Sequence, residues 1–425
     1  YAGQPRYSLR ARNNEFTLPQ LQTGITEARR LGKKFFVASN LMPHNAKVKT
    51  YLRDMEPVIA LQPDALIMAD PGLIMLVREK WPDVSIHLSV QANTVNYAAI
   101  KFWQSIGLTR VILSRELSLE EIAEIRERCP DMELEVFVHG ALCIAYSGRC
   151  LLSGYFNHRD PNQGTCTNSC RWDYKVKPAA ENASGDIEPL QKIDFDFNEA
   201  LQSSQSSPFN NAPVQRHPAA DQVYLIEESQ RPGQLMPVME DEHGTYIMNS
   251  RDLRAVEHVA RLAEIGIDSL KVEGRTKSTY YVARTAQVYR QAIEDAVHQR
   301  PFDPTLLGQL EGLANRGYTD GFYQRHHSQE TQNYLRGHSE SSRSQYVGDI
   351  EHVDTTTRMA EILVKKRFQI GDKLEIIHPS GNRIIQLEHM QDLEGNAVNI
   401  APGSGYRVKI PLEGNVEKAF VARFL

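Results

Sequence analysis

Four of the five cysteines in this 425-residue chain lie within 28 residues of one another. Their spacing is C-x6-C-x15-C-x3-C, and they are Cys143, Cys150, Cys166 and Cys170. Clustered thiolates select zinc, Cu(I) or iron–sulfur clusters. Structural zinc usually takes cysteines two to four residues apart, whereas four thiolates on irregular loops suit a cluster with one ligand at each iron. The spacing favours a cluster, and zinc or structural and disulfide-bonded cysteines are the alternatives.

The segment in front of these cysteines is an apolar, strand-like run from Leu134 to Val138, followed by His139 and Gly140. Cys143 therefore comes just beyond the carboxyl end of a predicted strand. We expect this strand to deliver the metal site to one face of a sheet or barrel.

A longer pattern surrounds the first two cysteines: residues 135–153 read E-x-F-x-x-G-A-L-C-x4-G-x-C-x-L-S. This pattern resembles the signature of the peptidase U32 family, and the similarity extends along nearly the whole chain. Within the family, the segment GQPRYSLRARNNEF near the start and the tail after residue 345 are most similar to a group that hydroxylates tRNA. The resemblance implies a [4Fe-4S] cluster on the four cysteines. It also implies oxygen-independent hydroxylation of wobble uridine 34 in the tRNA anticodon loop to 5-hydroxyuridine, with prephenate as the hydroxyl donor.

Short apolar runs alternate with helix-sized segments, as expected for parallel strands that are buried on both faces. Seven strands are predicted, at residues 1–3, 34–40, 65–70, 85–91, 110–114, 134–138 and 269–273. With a first βα unit missing from this chain, the count becomes that of a (β/α)8 TIM-type barrel, which the family resemblance also implies. An open doubly wound sheet is the alternative.

The remaining patterns divide the chain. Residues 1–324 are predicted to form the catalytic domain, with a mobile insertion at 175–220 that is rich in Ser, Gln, Asn, Pro and Ala. Residues 325–345 have the composition of a linker, and residues 346–425 show short β runs between turn signals, which predict a small antiparallel β-barrel. Within the catalytic domain, amphipathic helices are predicted at 253–265 and 278–298, the latter as an outer helix of the barrel.

Polar side chains follow the predicted strands at their carboxyl ends, which form the active face of such barrels. His139 and Glu273 are the candidate catalytic residues. An anionic substrate such as prephenate, a dicarboxylate, calls for arginine partners. The candidate substrate-binding residues are Arg10, Arg12, Gln91, Arg115 and Arg275. For a flipped uridine, Tyr7, Tyr146 and Tyr155 are candidate stacking surfaces. Each of these residues has an ordinary alternative as a helix cap, a turn residue, a surface ion-pair partner or part of the core.

Composition narrows the classes of function. A net charge of −5 means that the protein as a whole does not attract nucleic acid electrostatically. Residues 1–60 are locally basic, with ten Lys and Arg against four Asp and Glu, whereas the tail after residue 345 has no excess of basic residues. No apolar run reaches membrane-spanning length, and clustered cysteines fit a reducing compartment, so we expect a cytoplasmic protein. The oligomeric state is left open.

Neither an H-E-x-x-H nor a G-x-S-x-G motif occurs, and the clustered thiols are expected to be ligands. The fifth, Cys129, closes a predicted helix and is expected to be structural. A collagenase-like U32 peptidase and a non-catalytic iron–sulfur partner protein are therefore the less favoured alternatives.

Overall fold

The protein was analysed as a computed structural model, in which two compact units are present. The described residues are 1–8, 16–141, 174–181, 187–189, 224–228, 235–241, 244–247, 252–274, 277–313, 318–324, 344–414 and 416–424. The first unit comprises Tyr1–Asp173, Leu253–Glu273 and Thr319–Thr331; the second comprises Tyr174–Asp252, Gly274–Tyr318 and Gln332–Leu425.

The first six predicted strands are confirmed, and each pairs in parallel with the next. They are β1 (Ala2–Gly3), β2 (Phe36–Ser39), β3 (Ala65–Met68), β4 (Ile86–Leu88), β5 (Arg110–Ile112) and β6 (Glu133–Ala141). The helices between them are α1 (Leu18–Arg30), α2 (Asn45–Ala60), α3 (Pro71–Lys80), α4 (Tyr97–Ser105) and α5 (Leu119–Arg128). Apolar side chains of β2, β3, β5 and β6 meet in a buried cluster that includes Ile67, Ile112 and Phe137.

Local sequence fixes where these helices begin. Ser118 and Glu121 form a capping box at α5, because the hydroxyl accepts the Glu121 N–H at 3.3 Å and the carboxylate accepts the Ser118 N–H at 2.9 Å. At α3, the Asp70 carboxylate accepts the Leu73 N–H at 2.8 Å. The capping box was predicted from the sequence and is confirmed.

A five-stranded antiparallel sheet belongs to the second unit, in the order β11-β10-β9-β7-β8. Its strands are β7 (Tyr174–Glu181), β8 (Ile187–Pro189), β9 (Tyr224–Glu228), β10 (Leu235–Asp241) and β11 (Gly244–Ile247). Strands β7 and β8 fall within the start of the predicted mobile insertion: residues 174–178 of β7 pair with β9, and residues 179–181 pair with β8. Residues 182–186 and 190–220 of that insertion lie outside the described part of the chain.

The chain then returns to the parallel sheet. Strand β12 (Asp252–Arg254) pairs with β6, helix α6 spans Val259–Ile265, strand β13 (Ser269–Val272) pairs in parallel with β6, and β14 (Tyr318–Thr319) pairs with β12. The seventh predicted parallel strand is thus confirmed. The helix predicted from residue 253 begins only at Val259, because the preceding residues form β12 and a short 3₁₀ turn.

Helices α7 (Thr279–Val297) and α8 (Thr305–Glu311) lie in the second unit with the C-terminal β domain. The strands of this domain are β15 (Ser344–Asp354), β16 (Met359–Val364), β17 (Phe368–Gln369), β18 (Lys373–Ile377), β19 (Arg383–Gln386), β20 (Ile400–Ala401), β21 (Arg407–Pro411) and β22 (Phe420–Phe424). Six of them form an antiparallel sheet in the order β19-β18-β22-β15-β16-β21. On α7, which was predicted as an outer barrel helix, Arg284 forms a buried bidentate ion pair with Glu375 of β18 at 3.0–3.1 Å. An antiparallel C-terminal β domain is confirmed.

Candidate functional site at the carboxyl ends of the parallel strands

Four of the predicted site residues fall within the described part of the chain: Gln91, Arg115, His139 and Glu273. The other predicted site residues lie outside it: Arg10, Arg12, Arg275, Cys143, Cys150, Cys166 and Cys170. Strand β6 ends at Ala141, two residues before Cys143, as the sequence pattern predicted. Among the described residues, no group of three or more His, Cys, Asp or Glu side chains is placed to hold a metal ion.

The two candidate catalytic residues are brought together where β6 and β13 end. The carbonyl oxygen of His139 accepts the backbone N–H of Glu273 at 2.8 Å. The next residue, Gly140, has a φ of +111°, and a Cβ atom there would collide with the carbonyl oxygen of Glu273. Only glycine satisfies both conditions, so Gly140 fixes how closely the two strand ends approach.

Replacing Gly140 by alanine should therefore destabilise the protein by about 2–3 kcal/mol, from backbone strain together with the steric clash. Urea unfolding of Gly140→Ala against wild type measures this loss. Gly32→Ala is the matched control, because Gly32 also has a positive φ (+64°) but its Cβ would meet no atom within 4 Å, so about 1 kcal/mol is expected. Equal losses in the two variants would contradict a special role for the close approach at Gly140.

Arg115, which follows β5, is a cation without a carboxylate partner in the described part of the chain. Its guanidinium carbon lies 3.7 Å from the centroid of the Phe137 ring, and its buried Nε has no hydrogen-bond partner there. The Tyr323 hydroxyl donates to the Phe137 carbonyl at 2.6 Å, which holds this part of β6 in place. A half-buried guanidinium stacked on a ring but not paired is suited to bind a carboxylate or phosphate of a ligand.

The phenol of Tyr1 contacts the carboxylate of Glu273 and lies within the electrostatic influence of Arg115. Its hydroxyl donates to Oε2 of Glu273 at 3.3 Å. Burial raises the pKa of the Tyr1 phenol, the negative charge of Glu273 raises it further, and the positive charge of Arg115 opposes both. Arg115 and Glu273 thus act on the same phenol, although they follow strands that are far apart in sequence.

Beneath this site, a network of charged side chains crosses the interior of the sheet. Lys271 of β13 donates to Oε1 of Glu135 at 2.7 Å, and Arg110 of β5 donates to Oε2 at 3.1 Å. Ser269 donates to Oε2 as well, at 2.9 Å, and the Lys271 ammonium lies 3.6 Å from the Tyr1 ring centroid. Burial alone would raise the pKa of Glu135, but Lys271, Ser269 and Arg110 together hold that pKa below its ordinary value. Glu135 is therefore a buried, ionised carboxylate held by two cations.

Sequence reasoning did not single out this network. Arg110, Glu135 and Lys271 stand inside runs that read as almost continuously apolar. The available signal was a charged residue within a short strand that is otherwise buried, which is costly unless the charge is paired.

The other polar strand ends are mostly explained by local structure. Asp70 caps α3, and Asn40 donates to the Ser89 hydroxyl at 3.2 Å. Gln91 is half-buried in the 3₁₀ turn after β4, and its side-chain amide has no partner within the described residues. Tyr7 is buried and donates to Asp54 at 2.8 Å, so it belongs to the core and is not a stacking surface. Tyr146 and Tyr155 lie outside the described residues.

His87 of β4 lies at the opposite end of the same interior, and its ring packs edge-on against Phe36 at 4.6 Å between centroids. Burial, and then the positive charge of Arg110, lower the pKa of His87 to about 4. The imidazole of His87 therefore binds a proton more tightly in the unfolded state than in the folded state. The free energy of unfolding has its full value above pH 6.5, the ordinary pKa of histidine, and decreases as the pH falls towards 4.

Between pH 6.5 and 4, the wild type should accordingly lose on the order of 3 kcal/mol more than a His87→Gln variant does. Urea unfolding of both proteins at a series of pH values measures the difference. The chain has 14 histidines, so only the gap between the two curves is informative. Parallel curves would show that His87 is not held neutral in the folded state.

Comparison with known proteins places the chain in a family. The model of "Peptidase family U32" matches residues 1–333, and the model of "Peptidase family U32 C-terminal domain" matches residues 342–423. The chain belongs to the peptidase U32 family. The resemblance drawn from residues 135–153 is thereby confirmed.

Relatives of this U32 chain carry two kinds of name. The tRNA hydroxylation protein P of Escherichia coli (strain K12) is 58% identical over 421 residues, covering 98% of this chain and 89% of that protein. The protein of the same name from Haemophilus influenzae is 55% identical over 428 residues, covering 100% of this chain and 91% of that protein. A protein named collagenase from Porphyromonas gingivalis is 26% identical over 433 residues, covering 98% and 90%. In the described part of this U32 chain, no helix has the length and apolar character needed to span a membrane.

Proposed function

We propose that this protein hydroxylates tRNA, converting wobble uridine 34 in the anticodon loop to 5-hydroxyuridine with prephenate as the hydroxyl donor. The observation that carries the proposal is the identity of 58% and 55%, over nearly the full chain, with two proteins named for tRNA hydroxylation. The reaction belongs in the cytoplasm, where tRNA and reduced thiols are found.

The parallel sheet is proposed to be part of a (β/α)8-type barrel. Two contacts between its outermost parallel strands support closure: the Tyr1 side chain, next to β1, meets both Lys271 and Glu273 of the β13 segment. In such a barrel the carboxyl ends of all strands converge on one face, where Gln91, Arg115 and Glu273 would surround the reacting uridine. The C-terminal sheet is proposed to curl into a small barrel, helped by the two register shifts along β15.

A [4Fe-4S] cluster fits the donor set of this chain. Four thiols are available in the segment that directly follows β6, and four thiolates can occupy one position on each iron. Cys143, Cys150, Cys166 and Cys170 would hold the cluster. When bound, it would supply electron transfer or hold the segment in shape.

Arg115 is the residue proposed to bind a carboxylate of prephenate. Its guanidinium is stacked on Phe137 and is unpaired among the described residues, so binding an anion breaks no existing ion pair. Arg10, Arg12 and Arg275 are proposed to contribute from the same face. Glu273 is the group proposed to hold or release a proton beside the uridine, and His139, whose side chain is buried, is proposed to position Glu273 through its backbone carbonyl.

The direct test is anaerobic incubation of the purified protein with unmodified tRNA and prephenate, followed by nucleoside analysis for 5-hydroxyuridine. Product that depends on both the protein and prephenate is the expected result. If no product forms with iron-replete protein, or if equal product forms without prephenate, the proposal is wrong in whole or in the identity of the donor.

Replacing Arg115 by glutamine should raise the KM for prephenate by about 10- to 100-fold, because a charged hydrogen bond to a carboxylate is lost. Initial rates at varied prephenate concentration measure this effect. Arg261→Gln is the control: it removes the same charge from the exposed surface of α6 in the same unit, and the KM should not change. An unchanged KM in Arg115→Gln would remove Arg115 from the substrate site.

A peptidase reaction gains little from the described residues. The thiol of Cys129 is buried, donates to the carbonyl of Tyr97 at 3.6 Å, and has its pKa raised mainly by burial. Such a thiol is a structural group, as the sequence predicted, since a nucleophile needs a lowered pKa.

A further inference from the structure

A cavity lies at the amino-terminal ends of the parallel strands, away from His139 and Glu273. Its volume is about 440 Å³. The residues that line it come just before or at the start of β2 to β6, or from the end of α4. They include Lys34, Asp64 and Gln104 at the exposed rim and His87 and Arg110 inside. The peptidase U32 match and the proposed reaction leave this cavity without a role.

The interior of this cavity contains a buried polar group that lacks a partner. His87 is only 4% exposed, and its Nδ1 has no hydrogen-bond partner in the described part of the chain. Leaving a buried ring nitrogen unpaired is unfavourable, and few such groups persist in folded proteins without a water, an ion or a ligand to complete them. A ligand with a hydrogen-bonding group would remove this cost.

The charged side chains that line the cavity determine whether a cation or an anion binds there more favourably. Arg110 is already bound to Glu133 at 2.9 Å and to Glu135 at 3.1 Å, so it is not free to receive an anion. The lining carries three carboxylates, those of Asp64, Asp131 and Glu133, against the two cations of Lys34 and Arg110. Asp131 is exposed and has no partner among the described residues. A cation is therefore favoured over an anion.

The walls add an apolar surface. Phe36, Leu108 and Met132 line the cavity between its charged groups. An aromatic ring, aliphatic side chains and a few polar groups are the usual composition of a small-molecule site.

We propose that this cavity binds a small organic cation, an amine carried on a flat apolar group. The apolar group lies against Phe36, Leu108 and Met132, beside the His87 ring that packs on Phe36, and the ammonium faces Asp131. This site is separate from the proposed tRNA and prephenate site and does not depend on the proposed function.

Three probes of the same shape test the proposal: benzylamine, benzyl alcohol and benzoate. The full chain is labelled with isotopes in histidine, and the ring signals of His87 are followed by NMR at neutral pH during each titration. The His87 signal is assigned by its absence in His87→Gln. If that variant does not fold, Phe36→Leu assigns the signal instead, through the loss of the ring-current shift from the neighbouring aromatic ring.

Benzylamine is expected to shift the His87 signals to saturation, and benzoate to bind at least about tenfold more weakly, because of the excess of carboxylates. Asp131→Asn should weaken benzylamine binding about three- to fivefold, as for one partly exposed ion pair. Glu127→Gln removes a carboxylate from the exposed surface of α5 and should leave binding unchanged. Equal binding of the three probes would refute the selection for a cation, and no saturable shift with any of them would refute the site.

Discussion

A Glu135→Gln protein is expected to be about 3–5 kcal/mol less stable than the wild type. The carboxylate of Glu135 is buried, accepts hydrogen bonds from Lys271 at 2.7 Å and Arg110 at 3.1 Å, and balances two buried cations. Glutamine has nearly the same shape, so the loss reports on charge and not on packing. Lys271 would be left with no ionised partner in the interior. Urea unfolding at neutral pH measures the difference.

Two further variants make this experiment decisive. Glu133→Gln removes the other carboxylate partner of Arg110, but that side chain is 47% exposed, so a loss of about 0–1 kcal/mol is expected. The double variant Glu135→Gln/Lys271→Met removes the buried pair together and should recover much of the stability. Because the pKa of Glu135 is lowered on folding, the stabilisation is present above its ordinary value of 4.5 and is lost as the pH falls below it. A loss below about 1 kcal/mol at neutral pH would show that Lys271 is not charged inside the sheet.

The second large effect is expected at the cysteines. Protein purified without oxygen should contain about four irons and four sulfides per chain, and Cys150→Ser should lose both together with the formation of 5-hydroxyuridine. Iron and sulfide analysis, an absorption spectrum and the nucleoside assay provide the three measurements. Cys129→Ser is the matched control, because its thiol is buried at the C-terminal end of α5 and donates to the carbonyl of Tyr97, so metal content should be unchanged.

Other outcomes of this experiment have a definite meaning. Stoichiometric zinc without sulfide would make the four cysteines a structural zinc site. If protein prepared without oxygen contained no metal, the cluster would be contradicted. The four thiols would then be candidates for a catalytic nucleophile.

The seven parallel strands could be predicted because each is a short apolar run bounded by polar residues. Runs such as residues 65–70 and 110–114 are buried on both faces, so composition alone marks them. Strand β7 was missed for the converse reason. It contains Lys175, Lys177 and Pro178, which have low strand propensity. Its partner strand β9 is some fifty residues away in the sequence, so the pairing leaves no local signal.

The sequence predicted which residues lie at the strand ends of the candidate site, but not which side chains contact one another there. His139 and Glu273 could be placed at strand ends, and strand ends converge on one face. Their direct contact depends on the register of β13 against β6, which includes an irregular step at Lys271 and Val272. The partners of Arg110 are 23 and 25 residues away, and Lys271 is 136 residues from Glu135. Sequence spacing identifies charged residues in buried strands, but it does not say which of them pair.

The return of the chain to β6 has a consequence for how this family can vary. The chain leaves β6 at Ala141, and after more than a hundred residues β12 pairs with that same strand, with the Ala255 N–H bonded to the Val138 carbonyl at 2.9 Å. Among the described residues of this excursion, which begins with the four cysteines, strands β7 to β11 form a sheet of their own and do not pair with the parallel sheet. Doubling the length of a closed loop costs only about 0.6 kcal/mol. Insertions between Ala141 and Asp252 should therefore change the stability of the parallel sheet by little, because its strands pair with one another on either side of this segment.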